Sequence, residues 1–487
     1  MSATWEMICG LEVHVQLATR SKLFCSCATD GFGASPNSRI CPVCTGQPGV
    51  LPVLNGGAAK LAVKAALALG CEIREESIFA RKNYFYPDLP KAYQISQYEK
   101  PLAENGSLAV AVKDAPSKTV GLQRIHIEED AGKLLHAIGS EDLDYSLVDF
   151  NRAGIPLVEI VSKPDIRSPH EAYAYLQALK EILQFAGVSH CDMEKGEMRV
   201  DANISMRRAG EPFGTRVEIK NLNSFKAVRD ALDYEGRRQI AALEKGERII
   251  QETRLWDADV QATAPMRTKE EAHDYRYFPD PDLPPLHAPR SLVEAMRREL
   301  PELPEARRRR FIEDYGLSVS IANVLTGSRE LADYVDAVAE ITNPATATPT
   351  AGNLIATVLL GFLSERSLDL SRVIGRVTPE SLGKLTLLIA DGRISKTMSK
   401  EILAEMLNSG RDPEEILKER GGGQVLDEAQ LAQWVRAAID QSPKAVADVK
   451  SGKERAIGAI VGAAMKLSQG KANPTILNKL IKEELAP

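Results

Sequence analysis

Two groups of residues near the start of the chain are of types that do chemistry. Cys25, Cys27, Cys41 and Cys44 are spaced C-x-C and then C-x-x-C. Each close pair can place two thiolates on one tight turn, and four thiolates can close a tetrahedral Zn²⁺ site. The stretch between the pairs holds Gly31, Gly33, Pro36, Asn37 and Ser38 and reads as loop. A structural zinc knuckle would pin such a loop; four unrelated reduced thiols, or a redox role, are the alternatives. Just upstream, LEVHVQL (11–17) alternates, so Glu12 and His14 leave the same face of a strand. A carboxylate beside an imidazole is a metal or acid–base pair in waiting, although a strand pair of this kind, taken alone, is more often plain solvent-facing surface.

Two further stretches strengthen the first reading. In RIHIEEDAGK (124–133), His126, Glu128 and Asp130 share one strand face, and in IPLVEIV (155–161) Glu159 is the only charge. A lone carboxylate in an apolar strand must be paired or metal-bound, because burying it unpaired costs several kcal/mol. Oxygen-rich ligation with one imidazole suits Mg²⁺ or Mn²⁺ better than Zn²⁺. Glu12, His14, Glu128 and Glu159 are therefore expected to form a hard-cation site separate from the thiolates. RKNYFYPDLPKAYQISQYE (81–99) interleaves Lys82 and Lys91 with tyrosines. That pattern suits nucleic acid or a polar passage, or else an ordinary tyrosine-rich loop. Glu218, Lys220, Asn221 and Asn223 end an alternating strand in a polar cluster, which fits a polar ligand contact or, at least as well, a hydrogen-bonded strand end. There is no P-loop, no G-x-S-x-G and no Cys–His arrangement of a glutaminase. An enzyme of this kind using ammonia would need a partner to make it.

The elements that must position these residues differ along the chain. Alternation at 11–17, 198–207 and 215–220 marks strands, and Ala/Leu-rich 58–69 marks a helix. Ser168, Pro169 and Glu171 start another helix running to about Ala186. Strands without a regular βαβ rhythm imply an α+β class with a mixed sheet. Helical patterns dominate after the proline-rich DPDLPPLHAPR (280–290), and a second break falls at Gly421–Gly423. The expected domains are a catalytic mixed-sheet domain (1–292), a helical domain (293–420) and a small helical tail (421–487). Residues 444–487 hold eight Lys/Arg against four Asp/Glu, while the 487-residue chain carries −6. This tail is a candidate phosphate-backbone contact or simply a solvated face. Arg307–Arg310 would point all round a helix and is expected to be mostly solvated. No apolar run approaches the roughly 18 residues of a membrane helix, and no secretory signal is visible. Seven cysteines, four of them suited to a metal, fit a reducing cytoplasm.

Longer blocks carry a resemblance. GLEVHVQL, PGVLPVLN, RKNYFYPDLPKAYQISQ, HIEEDAGK, LVDFNRAGIPLVEIV, DANIS and VEIKNLNSF together resemble the B subunit of the bacterial-type aspartyl/glutamyl-tRNA amidotransferases, from about Gly10 to Pro279 and on through the helical tail. The resemblance implies a cradle-like α+β domain, a helical domain and a tail that approaches tRNA. It implies a carbon–nitrogen ligase with glutamine as amido donor. Misacylated Glu-tRNA(Gln) or Asp-tRNA(Asn) would be phosphorylated on its side-chain carboxylate by ATP, and ammonia would displace the phosphate. The ammonia would come through a channel from the amidase (glutaminase) partner, the A subunit, with the small C subunit clasping the two in a heterotrimer. By the same resemblance Mg²⁺ falls on His14, Glu128 and Glu159 with Glu12 close by, and Lys82 and Lys91 line the ammonia path. Some family members lack the four cysteines, which fits a stabilising Zn²⁺ clip. An archaeal-type homologue would carry an inserted domain, for which no long insertion is present. A non-catalytic zinc-stabilised tRNA-binding scaffold is the alternative of another class.

Overall fold

The computed structural model describes residues 4–112, 116–138, 141–266, 275–342, 347–420, 428–450, 453–468 and 472–485. They fall into two compact units, one ending at Leu303 and the other beginning at Pro304. The first begins with β1 (Trp5–Gln16), α1 (Gly56–Ala68), β2 (Glu72–Ile73), β3 (Glu76–Ser77), β4 (Ala80–Asn83), β5 (Tyr93–Ser96), β6 (Ala103–Glu104) and β7 (Ser107–Val110). It continues with β8 (Lys118–Glu129), β9 (Lys133–Ile138), β10 (Glu141–Asp149), β11 (Pro156–Ser162), α2 (Pro169–Phe185), β12 (Met198–Arg208) and β13 (Val217–Leu222). It ends with α3 (Phe225–Glu244), β14 (Thr253–Asp257), β15 (Ala262–Pro265), β16 (Phe278–Pro279), β17 (Leu286–His287) and α4 (Arg290–Arg298).

One large sheet has the order β15-β14-β13-β12-β1-β11-β8-β6-β2, with β7 also on β8. Only β13–β14 is parallel among its pairs, so the sheet is mixed and the class is α+β. The alternation of β1 decides what each face becomes. Leu11, Val13 and Val15 are fully buried on one side, while Glu12, His14 and Gln16 lie on the other. The apolar side joins α1, α2 and α3 in one core. In α2 the Ser168 hydroxyl accepts from the Glu171 N–H, and the Glu171 carboxylate accepts from the Arg167 N–H. Ala172, Tyr175, Leu176, Leu179 and Leu183 then recur at helical spacing and are fully buried. Each such aliphatic side chain contributes about 1.5–3 kcal/mol of transfer free energy. Val293 of α4 is buried in this core and Met296, Leu300 and Leu303 pack on it, so the unit extends beyond the proline-rich stretch.

The second unit is helical. It contains α5 (Pro304–Glu313), α6 (Val319–Leu325), α7 (Arg329–Ile341), α8 (Thr348–Leu354), α9 (Leu360–Glu365), α10 (Pro379–Ala390), α11 (Lys396–Ser409) and α12 (Pro413–Glu419). After the break at 421–423, which lies outside the described residues, come α13 (Glu428–Asp440), α14 (Pro443–Lys450), α15 (Ile457–Leu467) and α16 (Pro474–Glu484). These last helices share an apolar cluster of their own that includes Leu431, Val435, Ile460, Leu477 and Ile481. Two arginines of α5 depart from the expectation of a mostly solvated run, whereas Arg309 is exposed as expected. Arg307 is buried and pairs with Asp333 and Asp336, while Arg310 pairs with Asp336 beside the Tyr315 hydroxyl. Acidic side chains on α7 supply partners that the run itself does not reveal. No helix among the described residues is long and apolar enough to cross a membrane.

Candidate metal centres on the polar sheet face

Strand register assembles the site. β1 lies between β11 and β12, with His14 opposite Glu159 and also opposite Arg199. Glu159 is in turn opposite His126 on β8, and Leu157 is opposite Glu128. Because side chains alternate, His14, Glu159, His126 and Glu128 converge on the polar face. His14 Nε2 lies 3.3 Å from Glu128 Oε1 and 3.4 Å from Glu159 Oε2. One ligand atom from each of the three residues falls within 4.8 Å of the others. A half-buried imidazole and two buried carboxylates at that separation fit a hard divalent cation.

His126 stands behind this set, with Nε2 2.9 Å from Glu159 Oε2 and 3.7 Å from Glu128 Oε2. Sequence spacing marked it as sharing the face of Glu128, but its hold on Glu159 follows only from the β8–β11 pairing. Burial disfavours the charged form of His126, yet Glu159 and Glu128 outweigh it and lift its pKa to about 9. His14 is raised in the same way, against burial, by Glu159 and Glu128. The carboxyls answer in kind. Burial pushes Glu128 up, but His126 and His14 hold it below its ordinary value, and Glu159 is held well below for the same reason.

These shifts carry a sign. The folded pKa of His126 exceeds its unfolded value, so its stabilisation is complete below about pH 6.5 and lost as pH rises through about 9. A cation must also displace the His14 proton, so metal affinity moves the opposite way. The metal-free chain should therefore lose thermal stability between about pH 6.5 and 9, while its affinity for Mn²⁺ rises by roughly tenfold over the same span. Calorimetric titration at both pH values checks this; flat profiles for both quantities would contradict it.

Glu12 stands apart from the set to which its spacing assigned it. Across the strands it faces Asp201 and Val161, its carboxylate accepts from Asn203 Nδ2 at 3.0 Å, and it groups with Asp201 and Glu218 instead. Those three carboxylates also offer oxygens within 4.8 Å of one another. Burial and then Glu159, Glu218 and Asp201 raise the Glu12 pKa. Lys220 answers the excess charge, 2.7 Å from Asp201 and 3.1 Å from Glu218. Asp201 was legible only as a polar position in DANIS, because its approach to Glu12 depends on the β1–β12 register. Asn221 donates to the Trp256 carbonyl and Asn223 to Asn221, so both serve the strand end.

The remaining expected residues divide. Asp130 lies past the end of β8, where Arg199 and Gln16 hydrogen-bond it and Arg152 lies 3.6 Å away. Lys82 sits over the Tyr275 ring at 4.8 Å. Burial lowers its pKa, but Glu128, Tyr277 and Glu159 raise it overall, so this lysine stays charged beside the metal set. Lys91 is on the other side of β8, pairing with buried Glu129.

The four cysteines do converge, with their Sγ atoms within 4.8 Å of one another. A tetrahedral Zn–S site needs about 3.8 Å between sulfurs, so a small contraction would suffice. The Cys41 N–H donates to Cys44 Sγ at 3.2 Å, and fully buried Lys22 reaches the same sulfur at 3.6 Å. Cys25 contributes most to lowering the Cys44 thiol pKa, ahead of the Cys41 amide and Lys22 and against burial. A thiol of lowered pKa beside a buried lysine suits a thiophilic cation. Nothing in the spacing of the cysteines pointed to Lys22.

An antiparallel-rich sheet with an acidic, histidine-bearing face and a four-cysteine loop, followed by a helical unit, defines the class. Residues 7–294 match the family model described as the GatB/GatE catalytic domain, and residues 333–485 match the GatB domain. The chain is 52% identical over 484 residues to the B subunit of the aspartyl/glutamyl-tRNA(Asn/Gln) amidotransferase of Carboxydothermus hydrogenoformans, covering 99% of each chain. It is 49% identical to the protein of that name from Thermoanaerobacter pseudethanolicus, again over 99% of both. With the one from Moorella thermoacetica it shares 49% identity, over 99% of this chain and 100% of the relative. The chain belongs to the B-subunit family of the aspartyl/glutamyl-tRNA(Asn/Gln) amidotransferases.

Proposed function

We propose that this chain amidates the misacylated aminoacyl group of Glu-tRNA(Gln), Asp-tRNA(Asn) or both, as one component of a multi-subunit amidotransferase. The observation that carries this reading is the meeting of His14, Glu128 and Glu159 on the polar sheet face of a chain from this family. His14, Glu128 and Glu159 would hold Mg²⁺, and Glu12, Asp201 and Glu218 offer carboxylates for a cation carried by ATP. Divalent cations offset phosphate charge during carboxylate activation. The chain's own groups do the rest. His126 orients Glu159, Lys82 keeps a positive charge beside the carboxylates, and Lys220 faces the second carboxylate set as a phosphate-compatible cation. Activation transfers the γ-phosphoryl group to the side-chain carboxylate, and ammonia then displaces phosphate to leave the amide. Lys82 and Lys91 would border the path by which ammonia arrives from an amidase partner, with a small third component completing the assembly.

Incubating the assembled enzyme with γ-labelled ATP and misacylated tRNA, without an ammonia source, tests the reaction. Label on the aminoacyl carboxylate supports it; label-free aminoacyl-tRNA, with tRNA bound, would favour a non-catalytic tRNA-binding scaffold. The second role assigned to the chain is tRNA contact by the basic tail. Removing residues 421–487 should weaken tRNA binding by roughly tenfold in filter binding at moderate salt, and reduce its salt dependence, while turnover at saturating tRNA changes less. An unchanged affinity and salt slope would leave the tail as ordinary surface.

A further inference from the structure

The loop carrying Cys41 and Cys44 turns at Gly46, where φ is +67° and the N–H donates to the Val43 carbonyl at 3.1 Å. A Cβ at Gly46 would lie 2.6 Å from Lys91 Cγ, 3.2 Å from Lys91 Cα and 3.3 Å from Lys91 Cβ. The missing side chain is what lets this loop rest directly on the lysine stem. Three positions on, Gly49 has φ of +86° but nothing within 4 Å of where its Cβ would be. Gly49 therefore shares the backbone demand of Gly46 without its contact.

Both partners of that contact are anchored. The Lys91 ammonium pairs with Glu129, whose carboxylate also accepts from the Ile95 N–H at 2.9 Å, while Gln94 Nε2 donates to the Glu129 carbonyl at 2.7 Å. With the carboxylate fixed, the path of the lysine stem decides whether the pair forms. On the loop side, Lys22 is 0% exposed and donates to Cys44 Sγ at 3.6 Å and to the Phe150 carbonyl at 3.2 Å. Lys22, Cys25, Cys44, Gly46, Lys91 and Glu129 line one pocket of about 110 Å³.

We propose that Gly46 is a positioning residue for Lys91: the thiolate-bearing loop, seated by Lys22, sets the course of the Lys91 stem and thereby maintains the Lys91–Glu129 pair. The four cysteines then do more than stabilise a loop, since they hold the surface against which Lys91 is placed. This inference deepens the proposed function and rests on its reading that Lys91 borders the ammonia path.

The test compares Gly46→Ala with Gly49→Ala in the assembled amidotransferase, with glutamine and with ammonium salts as alternative nitrogen donors. Gly46→Ala is expected to lower glutamine-driven amidation roughly tenfold relative to Gly49→Ala, with ammonium-driven amidation within about twofold of it. Equal rates in the two variants, or equal loss with both donors, would overturn the proposal. Lys91→Ala separates the inference from its foundation. If Lys91→Ala leaves the ratio between donors unchanged, the ammonia-path reading fails; if it changes the ratio and Gly46→Ala does not, only the role of Gly46 fails. Melting of the full chain supplies a readout that does not need the assembled enzyme. The extra destabilisation of Gly46→Ala over Gly49→Ala should shrink when both are made in a Lys91→Ala background, which removes Cγ and carries the loss of the Glu129 pair equally in both; an undiminished difference would again overturn the proposal.

Discussion

Replacing Glu128 or Glu159 by alanine is expected to reduce amidation of misacylated tRNA by about a hundredfold or more, while glutamine hydrolysis by the amidase partner persists. Both carboxylates lie within 3.4 Å of His14 Nε2, and the pair is largely buried, so neither can be replaced locally by bulk water. Losing one removes an anionic ligand from the cation set and leaves the other with two imidazoles. Glu128→Gln keeps the volume and removes the charge, which separates ligand loss from a packing defect. The decisive measurement is the rate of amide formation at saturating ATP and tRNA, alongside glutamate release. Near-normal amidation in both alanine variants would sink the assignment of this site.

Serine at both Cys41 and Cys44 is expected to lower the melting temperature by about 5 °C or more and to abolish metal retention by the loop. The converging cysteine sulfurs are what the loop has in place of a core: Phe32, Leu51 and Val53 of this region are exposed, and between residues 25 and 44 only Cys44 is buried. Serine keeps the size but not the affinity for a thiophilic cation, and it leaves Lys22 buried beside a neutral hydroxyl. Zinc analysis of the purified chain and a thermal scan with and without chelator check the outcome. Ammonium-driven amidation per folded molecule should fall much less than stability. A chelator-insensitive melting curve identical to that of the double variant would contradict a metal clip.

Much of the side-chain placement was legible before any tertiary contact was known. The alternation of LEVHVQL placed Glu12 and His14 on one face, and the isolation of Glu159 in an apolar strand demanded a partner. The paired spacing of the cysteines implied convergence, which the Sγ positions bear out. The cap at Ser168 and the period of the following helix were local properties, and they read correctly. Local signals also misled where the partner was distant. Arg307 looked solvated because four consecutive arginines point all round a helix, yet Asp333 and Asp336 neutralise it from α7.

The amino-acid sequence by itself determined which residue types face the same way on each strand and helix, because alternation and helical period are set by the backbone. It also determined family membership, since the matching blocks run the length of the chain. Only the tertiary structure decided which strand lies beside which. The antiparallel order β12-β1-β11-β8 brings His14 to Glu128 and Glu159, and turns Glu12 toward Asp201 and Glu218 instead. A register shift of one residue would send these side chains to the apolar face, and no local pattern specifies the pairing of strands more than a hundred residues apart. The same holds for Gly46 and Lys91. Their contact exists because the loop on which the four cysteines converge is laid against a strand-linked lysine, a relation of space that neither residue announces.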